Sequence, residues 1–557
     1  MDNHDVDQIM ITLRPDQQQL KNDIYNGWSN HQRNMLAVLP TGGGKSIVVS
    51  DIVLDCDRAG MRQIVIAHRN ELVSQMSHHI ARRGIYHRII GSNTTVKQII
   101  NSHREEFNHV FAHPTANCSV GGIDTLNARA EKLTEWARQI DQWTIDEAHH
   151  VLQQNKWGRG VGLFPNARGL GVTATPARPD GYGLGMDYDG VFNSMVIGPD
   201  MRWLIDNGAL TDYEIVCPQS DINITDDAIT DGGDFSPRKL KVAAEKSRIV
   251  GDVVSNYARF ALFKQAICFA TDVETANKIA KQFNEAGIIA ASVSANTPSH
   301  VREKYIKDFH NRKLYVLVNV DLFDEGFDVP ACDCVIMARP TASLVKYLQM
   351  FGRALRTALG KTHGLIIDHV SNVVRHGLPD KPRAWTLARR DKRGKSLPDP
   401  DDIPMTRCLE CLKPYERFHT CCPWCGAEPP LPAPRDRTIE MVDGDLVLLD
   451  RAALEAKRQA MMLEDAQSLA QRVSMAAGGA AAEFQKNKQM AKIAAHKRLS
   501  DAIAQWAAIG RAHGREDREL YRRFYHAMGC DVMDALRADR DRQEFETMAE
   551  TVEGWYS

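Results

Sequence analysis

From the start of the chain to about residue 215, short apolar runs recur between amphipathic stretches: MLAVL, QIVIA, SVGGI, QWTID and GLGVTA. Each run predicts a buried strand. Strands alternating with amphipathic helices predict a parallel sheet covered by helices on both faces. The same rhythm returns between about 250 and 375, in AICFA, IAASVSA, LYVLVNV, CDCVIMA and HGLIIDHV. The pattern therefore predicts two α/β domains in tandem. Between them, DGGDFSPRKLKVAAEKSR opens polar and turn-rich, then takes up helical spacing.

After residue 375 the pattern changes. RAWTLARRDKRGKSLPDPDDIP joins a basic half to an acidic half and predicts an extended linker. Five cysteines crowd into residues 408 to 425, followed by the proline-rich EPPLPAPRDR. From about 450, Ala, Arg, Glu and Gln at helical spacing predict a helical region, interrupted by AAGGAAA. The expected organisation is a first lobe at 1–216, an interlobe linker at 217–249 and a second lobe at 250–378. A charged linker at 379–404, a cysteine module at 405–430 and a helical region at 445–557 complete it.

The bulk numbers add boundaries. At 557 residues the chain exceeds one core. A hydrophobic content of 43% and a charged content of 25% are those of a soluble globular protein. The net charge of −2 means that any basic surface is local. The opening MDNHDVDQIM lacks a leader's basic-then-apolar layout, and no apolar run approaches the ~20 residues a bilayer crossing needs. A cytoplasmic protein with no membrane partner is expected, in the host cytoplasm if phage-encoded. The scattered Cys56, Cys118, Cys217, Cys268, Cys332, Cys334 and Cys530 read as small buried hydrophobes.

Candidate chemistry begins at LPTGGGKSIVV, residues 39 to 49. Each glycine in a helix interior would cost about 1 kcal/mol relative to Ala, so the three in a row point to another use. Thr41, Gly42, Gly43 and Gly44 between a strand and a helix can turn backbone N–H groups toward phosphate. Lys45 would then reach the terminal phosphates of ATP, and the Ser46 hydroxyl would hold Mg²⁺. Leu39 stands where the strict P-loop pattern has its first glycine. WTIDEAHH supplies the carboxylates such a loop needs: Asp146 for the metal and Glu147 to orient water. Adjacent acids on a strand point apart, but at a strand end the second can turn toward the nucleotide.

With these residues in place, PTGGGKS and DEAH resemble the superfamily 2 helicases, and further motifs follow in that family's order. LRPDQQQ resembles the Q motif, which implies Gln17 at the adenine edge. AHRNELVSQ and GGIDTL resemble motifs Ia and Ib, implying that Arg69 and Thr125 face nucleic-acid phosphates. VTATPARPDG resembles motif III, implying that Thr173 and Thr175 couple hydrolysis to movement. DEGFDVP resembles motif V, with Gly326 and Asp328 at the domain interface, and QMFGRALR resembles motif VI, with Gln349, Arg353 and Arg356. The resemblance covers roughly residues 10 to 370 and implies two RecA-like lobes, the arginines of the second completing the ATP site. Within the superfamily the motifs are most similar to XPB-like and RadD-like DNA helicases, and to helicases carried by phages and prophages.

CLECLKPYERFHTCCPWCG places Cys408 and Cys411 ten residues ahead of Cys422 and Cys425. Each C-x₂-C turn can offer two thiolates to one Zn²⁺, and four complete a structural tetrahedral site. Cys421 could replace Cys422, and His419 is a weaker substitute. Gly426 suits the close turn after the second pair. The basic runs at 388–395 and 486–498 are auxiliary candidates for phosphate contact. The leading expectation is an ATP-dependent DNA helicase or translocase on single-stranded or forked DNA, with replication or repair proteins as partners. An RNA helicase, or an ATP-gated clamp that remodels nucleic acid without processive unwinding, are the alternatives.

Overall fold

The chain is described by a computed structural model covering residues 12–67, 70–218, 222, 224–230, 232–322, 332–358, 360–389, 404–417, 419–428, 479–537 and 540–556. It divides into two compact units, Met1–Lys392 and Arg393–Ser557. Among the described residues no helix is long and apolar enough to cross a membrane.

The first unit holds two parallel-sheet α/β domains. Its first sheet contains β1 (Asn34–Val38), β2 (Gln63–Ala67), β3 (His87–Ile90), β4 (Cys118–Gly122), β5 (Gln142–Ile145), β6 (Arg168–Thr173) and β7 (Ser194–Ile197). Their order is β3-β4-β2-β5-β6-β1-β7. Met35 and Ala37 of β1 enter one hydrophobic core while Leu36 and Val38 enter another. That is the period-two alternation of a strand buried on both faces, and it explains why the strands read as unbroken apolar runs. Helix Lys45–Arg58 packs Val48, Val49, Ile52, Val53 and Cys56 inward, an apolar stripe at helical spacing.

The second sheet contains β8 (Asp212–Val216), β9 (Ala266–Phe269), β10 (Ala290–Val293), β11 (Val316–Asn319), β12 (Cys334–Met337) and β13 (His363–Asp368). The order is β10-β11-β9-β12-β13-β8, again with every pairing parallel. Helix Val273–Glu285 starts at Asp272, whose carboxylate accepts from the N–H groups of Glu274 and Thr275.

Three expected boundaries move. β8 falls inside the span 1–216 assigned to the first lobe, yet it pairs with β13, and Met201, Leu204 and Leu210 join a core of the second sheet. The division between lobes therefore lies just after β7. The span 217–249 is not a free linker either: Ala228, Phe235 and Leu240 form a small core against Ala342, and Ala244 joins a second-sheet core. Nor is the stretch from 379 extended. Trp385 and Leu387 pack against a core of the first lobe, and the Gly185 N–H donates to the Leu387 carbonyl at 3.0 Å. Arg383 ties this strap down by donating to the carbonyls of His376, Leu378, Pro379 and Lys381. Residues 390–403 of the predicted charged linker, and 429–478 between the cysteine module and the helices, lie outside the described residues.

The second unit pairs a small hairpin, β14 (Met405–Arg407) with β15 (Pro414–Glu416), with helices Gly479–Ala512, Asp517–Met528, Val532–Ala535 and Arg542–Glu553. Leu499, Ile503, Phe524, Phe545 and Val552 are its buried centre. The long helix joins that core from Ala495 onward, whereas Phe484 and Met490 before it are exposed. Buried Arg523 bonds Glu519 at 2.6 Å and reaches Glu416 of β15 at 3.1 Å, fastening hairpin to helices.

Four histidines of the first unit, His87, His103 and His369 fully buried and His376 half-buried, are held as neutral rings. Burial pushes His87 and His376 down to about 4 and His103 and His369 to about 3. Unfolded, each would titrate near 6.5, so the unfolded chain takes up more protons between those limits. The stability they contribute is complete above about pH 6.5 and is lost as the pH falls toward 4, on the order of 2 kcal/mol per ring by pH 5. Thermal midpoints measured from pH 7.5 to 5 should fall steadily once below 6.5. A midpoint that holds or rises down to pH 5 would contradict this account.

Candidate active site

β5, β6 and β1 are neighbours in the first sheet, so the segments leaving their carboxyl ends gather at one place. After β1 the chain turns through Gly42 (φ 83°) and Gly44 (φ 96°) into helix Lys45–Arg58, and the Gly43 N–H donates to the Pro40 carbonyl at 2.9 Å. Both positive φ values favour glycine, and a Cβ on Gly44 would lie 2.3 Å from Gln17 Nε2. The loop thus forms a cradle of backbone at a helix N-terminus, the surroundings that suit phosphate. Thr41 opens it and Ser46 sits on the first helical turn. Lys45 Nζ donates to the Leu39 carbonyl at 3.1 Å, so the residue that departs from the strict pattern contributes its backbone.

Gln17 is buried beneath this loop. Its Nε2 donates to the Gly43 carbonyl at 3.2 Å and its Oε1 accepts from the Arg14 N–H at 3.1 Å. Arg14 also donates to the Gly43 carbonyl, at 2.8 Å. The sequence reading does not single out Arg14, although it belongs to the quoted LRPDQQQ.

At the end of β5, Asp146 Oδ1 accepts from the Glu147 N–H at 2.9 Å. Glu147 takes a left-handed backbone (φ 50°), uncommon for a non-glycine residue, which ends the strand's alternation and re-aims its side chain. Glu147 Oε2 lies 3.4 Å from His149 Nδ1 and 3.4 Å from Gln349 Nε2. His149 Nδ1 is 3.1 Å from Thr173 Oγ1, which accepts from the Thr175 N–H at 3.2 Å. His149 therefore joins Glu147 to the Thr173–Thr175 turn, a link invisible in the sequence. Burial raises Asp146 and lowers Lys45, while each charge favours the other's ionised form.

The second lobe supplies the rest. Helix Leu344–Gly352 buries Gln349, and Arg353 is its C-cap. A Cβ on Gly352 would lie 2.6 Å from Thr41 Cβ, and one on Gly42 would lie 2.8 Å from Leu210 Cδ2 and 3.9 Å from Arg356 Cγ. The two lobes meet at the loop itself. Arg353 and Arg356 both count among the charges that depress Lys45. Thr125 lies in helix Ile123–Ala128 directly after β4, two strands from β5 in the sheet order. Arg69, Gly326 and Asp328 lie outside the described residues.

The cysteines form a separate site in the second unit. The Sγ atoms of Cys408, Cys411, Cys422 and Cys425 all lie within 4.8 Å of one another, with Cys408–Cys425 at 3.5 Å and Cys411–Cys422 at 3.6 Å. Four sulfurs at ~2.3 Å from one ion would be roughly 3.8 Å apart, so this donor set fits Zn²⁺. Burial opposes ionisation of Cys408, but the N–H groups of Cys411 and Glu410 favour its thiolate, and its pKa falls to about 7. Cys421 is exposed and His419 half-buried, and both lie outside the group. Gly426 (φ 75°) follows the second pair as expected, and Leu412 (φ 62°) takes the same place after the first.

Comparison with known proteins fits this geometry. Residues 10–178 match the family described as "Type III restriction enzyme, res subunit", and residues 249–358 match "Helicase conserved C-terminal domain". A 51.5 kDa protein of a Lactococcus phage is 32% identical over 391 residues, covering 70% of this chain and 76% of that protein. The "Putative ATP-dependent helicase IRC3" of Saccharomyces cerevisiae is 26% identical over 381 residues, 64% of this chain and 51% of the yeast protein, so the match spans about half of that relative. A solved fragment described as "a putative HsdR subunit of a type I restriction enzyme" from Vibrio vulnificus aligns with a TM-score of 0.49 at 18% identity, covering 68% of this chain and 69% of that one.

Proposed function

Because the chain belongs to the superfamily 2 ATP-dependent helicases, which are ATP hydrolases, we propose that it is a DNA helicase or translocase acting on single-stranded or forked DNA. The observation that carries this reading is the approach of Gln349 to Glu147, 3.4 Å apart across 202 residues of sequence and between two lobes. A site completed only where two lobes meet couples hydrolysis to their relative movement, and such movement can be spent on stepping along a strand.

The roles follow from position. Thr41 to Gly44 bind the phosphates of ATP through backbone N–H groups, Lys45 neutralises them, and Gln17 with Arg14 serves the adenine end. Ser46 and Asp146 would hold Mg²⁺, which when bound supplies charge neutralisation at the phosphates. Glu147 orients the attacking water and takes its proton. His149, Thr173 and Thr175 transmit the state of Glu147 to the rest of the first lobe. Arg353 and Arg356 stabilise charge that develops on the phosphoryl group in transfer. By motif resemblance alone, Arg69 and Thr125 are assigned to nucleic-acid phosphates, and Gly326 and Asp328 to motif V; of these only Thr125 is among the described residues. The resemblance of the motifs to XPB-like and RadD-like DNA helicases supports the DNA reading, and the role we propose is in replication, recombination or repair in the cytoplasm. Cys408, Cys411, Cys422 and Cys425 would hold one structural Zn²⁺ in the second unit as four thiolates.

ATP hydrolysis measured with single-stranded DNA, duplex, fork and RNA, beside strand displacement on the fork, tests this function. Single-stranded or forked DNA should stimulate most, with displacement of the fork's strand. Stronger stimulation by RNA would replace the reading with an RNA helicase, and hydrolysis without displacement would favour a clamp. In the same assays Lys45→Ala should lose ATP binding, whereas Glu147→Gln should keep binding and lose turnover. Near-normal hydrolysis by Glu147→Gln would sink that assignment.

Metal analysis of protein purified without chelator should find one zinc per chain, and a Cys408→Ser/Cys411→Ser double variant should lose it. Zinc-free wild-type protein would refute the metal site.

A further inference from the structure

We infer that Lys361, which lies outside every motif named above, is a positioning residue that holds the turn carrying Arg353 and Arg356. This rests on the reading of those arginines as groups that meet the phosphoryl under transfer. The turn follows helix Leu344–Gly352, where backbone carbonyls no longer have helical partners and each needs a donor from elsewhere. All four carbonyls from 353 to 356 have one. Cys332 Sγ lies 3.4 Å from the Arg353 carbonyl, and the Thr211 N–H donates to that of Leu355 at 2.8 Å. The other two, on Ala354 and Arg356, both accept from Lys361 Nζ, the latter at 2.9 Å. The third donor of Lys361 goes to the Cys332 carbonyl at 2.8 Å, just before β12.

An ammonium has three N–H donors and no acceptor, and here all three are used on backbone. That arrangement is chosen over an easier one, since burial lowers the pKa of Lys361 and disfavours its charge. The close fit extends to Gly364 in β13, where a Cβ would lie 2.3 Å from the Ala354 carbonyl oxygen. Every one of these donors belongs to the second lobe or its edge strand. The arginine turn is thereby fixed to the second sheet, so that the two guanidiniums arrive at the loop Thr41–Lys45 as one rigid piece when the lobes meet. A lysine that merely stabilised the fold would alter melting without selectively altering the rate of the chemical step.

Lys361→Met keeps the aliphatic stem and removes the donors. With nucleic acid present, its kcat for ATP should fall about 10- to 100-fold, the loss expected when a transition-state group is misplaced by around 1 Å. Its ATP affinity should stay within about threefold, because the arginines act beyond the ground state. Lys361→Arg, which retains charge and N–H donors, should recover part of the rate. Arg356→Ala, measured alongside, should show the same rate-only loss. If Arg356→Ala loses rate and Lys361→Met does not, the positioning role is overturned and the arginine reading stands. If both keep wild-type kcat, the arginine reading falls and takes this inference with it. Should Lys361→Met fail to fold, Lys361→Gln keeps a side-chain N–H group but cannot reach all three carbonyls. It should lower kcat several-fold at unchanged affinity, and an unchanged kcat would again overturn the proposal.

Discussion

Lys45 shares its surroundings with two carboxylates and two guanidinium groups, in a cleft where burial already pushes its ammonium below the ordinary lysine range. Asp146 and Glu147 favour its charge, while Arg353 and Arg356 oppose it. Like charges gathered out of water repel strongly, and a polyanion such as a triphosphate relieves that repulsion. The cationic groups do not come from one segment. Lys45 follows β1 in the first lobe, whereas both arginines follow helix Leu344–Gly352 in the second. The electrostatics of the site therefore require the lobes to meet, and the rest of the first unit is arranged to let them. Gly352 admits Thr41 to close contact, the sheet order sets β5, β6 and β1 side by side, and the strap around Trp385 returns from the second lobe to the first.

Much of this was legible in the sequence because it depends on local pattern. The apolar runs became the strands of two parallel sheets, since strands covered on both faces show their burial as continuous hydrophobicity. The GGGKS loop and the DE pair announced themselves through residues that a bare fold would not favour there. What remained hidden depends on partners distant in sequence. Nothing within DYEIV says that it pairs with β13 and not with the sheet that precedes it. Nothing in RAWTLARR reveals that Trp385 and Leu387 lie against the first lobe, because its basic and proline-containing neighbourhood resembles linker. Arg14 and His149 sit inside quoted motifs, yet their contacts with Gly43 and with Thr173 appear only in three dimensions. Lys361 gives no signal at all: a lysine after glycine in a polar turn reads as surface.

The second unit shows a different balance. Its hairpin buries only a small core around Cys408, Tyr415 and Cys422, and the cysteine spacing was therefore the strongest signal in that region. Its attachment to the helices rests on Arg523, buried between Glu519 and Glu416. Losing the arginine is the expensive change, because it leaves two neighbouring carboxylates without their shared counter-charge. At the beginning of the long helix Phe484 and Met490 are exposed to solvent.

The account turns on whether the second lobe's arginines act in the transition state. ATP affinity and nucleic-acid-stimulated turnover measured on one preparation of Arg353→Ala address this most directly. The arrangement predicts near-normal affinity with turnover reduced on the order of 10³-fold or more, as for other arginines that reach a transferring phosphoryl group. An affinity that falls in proportion to the rate would make Arg353 a ground-state ligand and contradict the account.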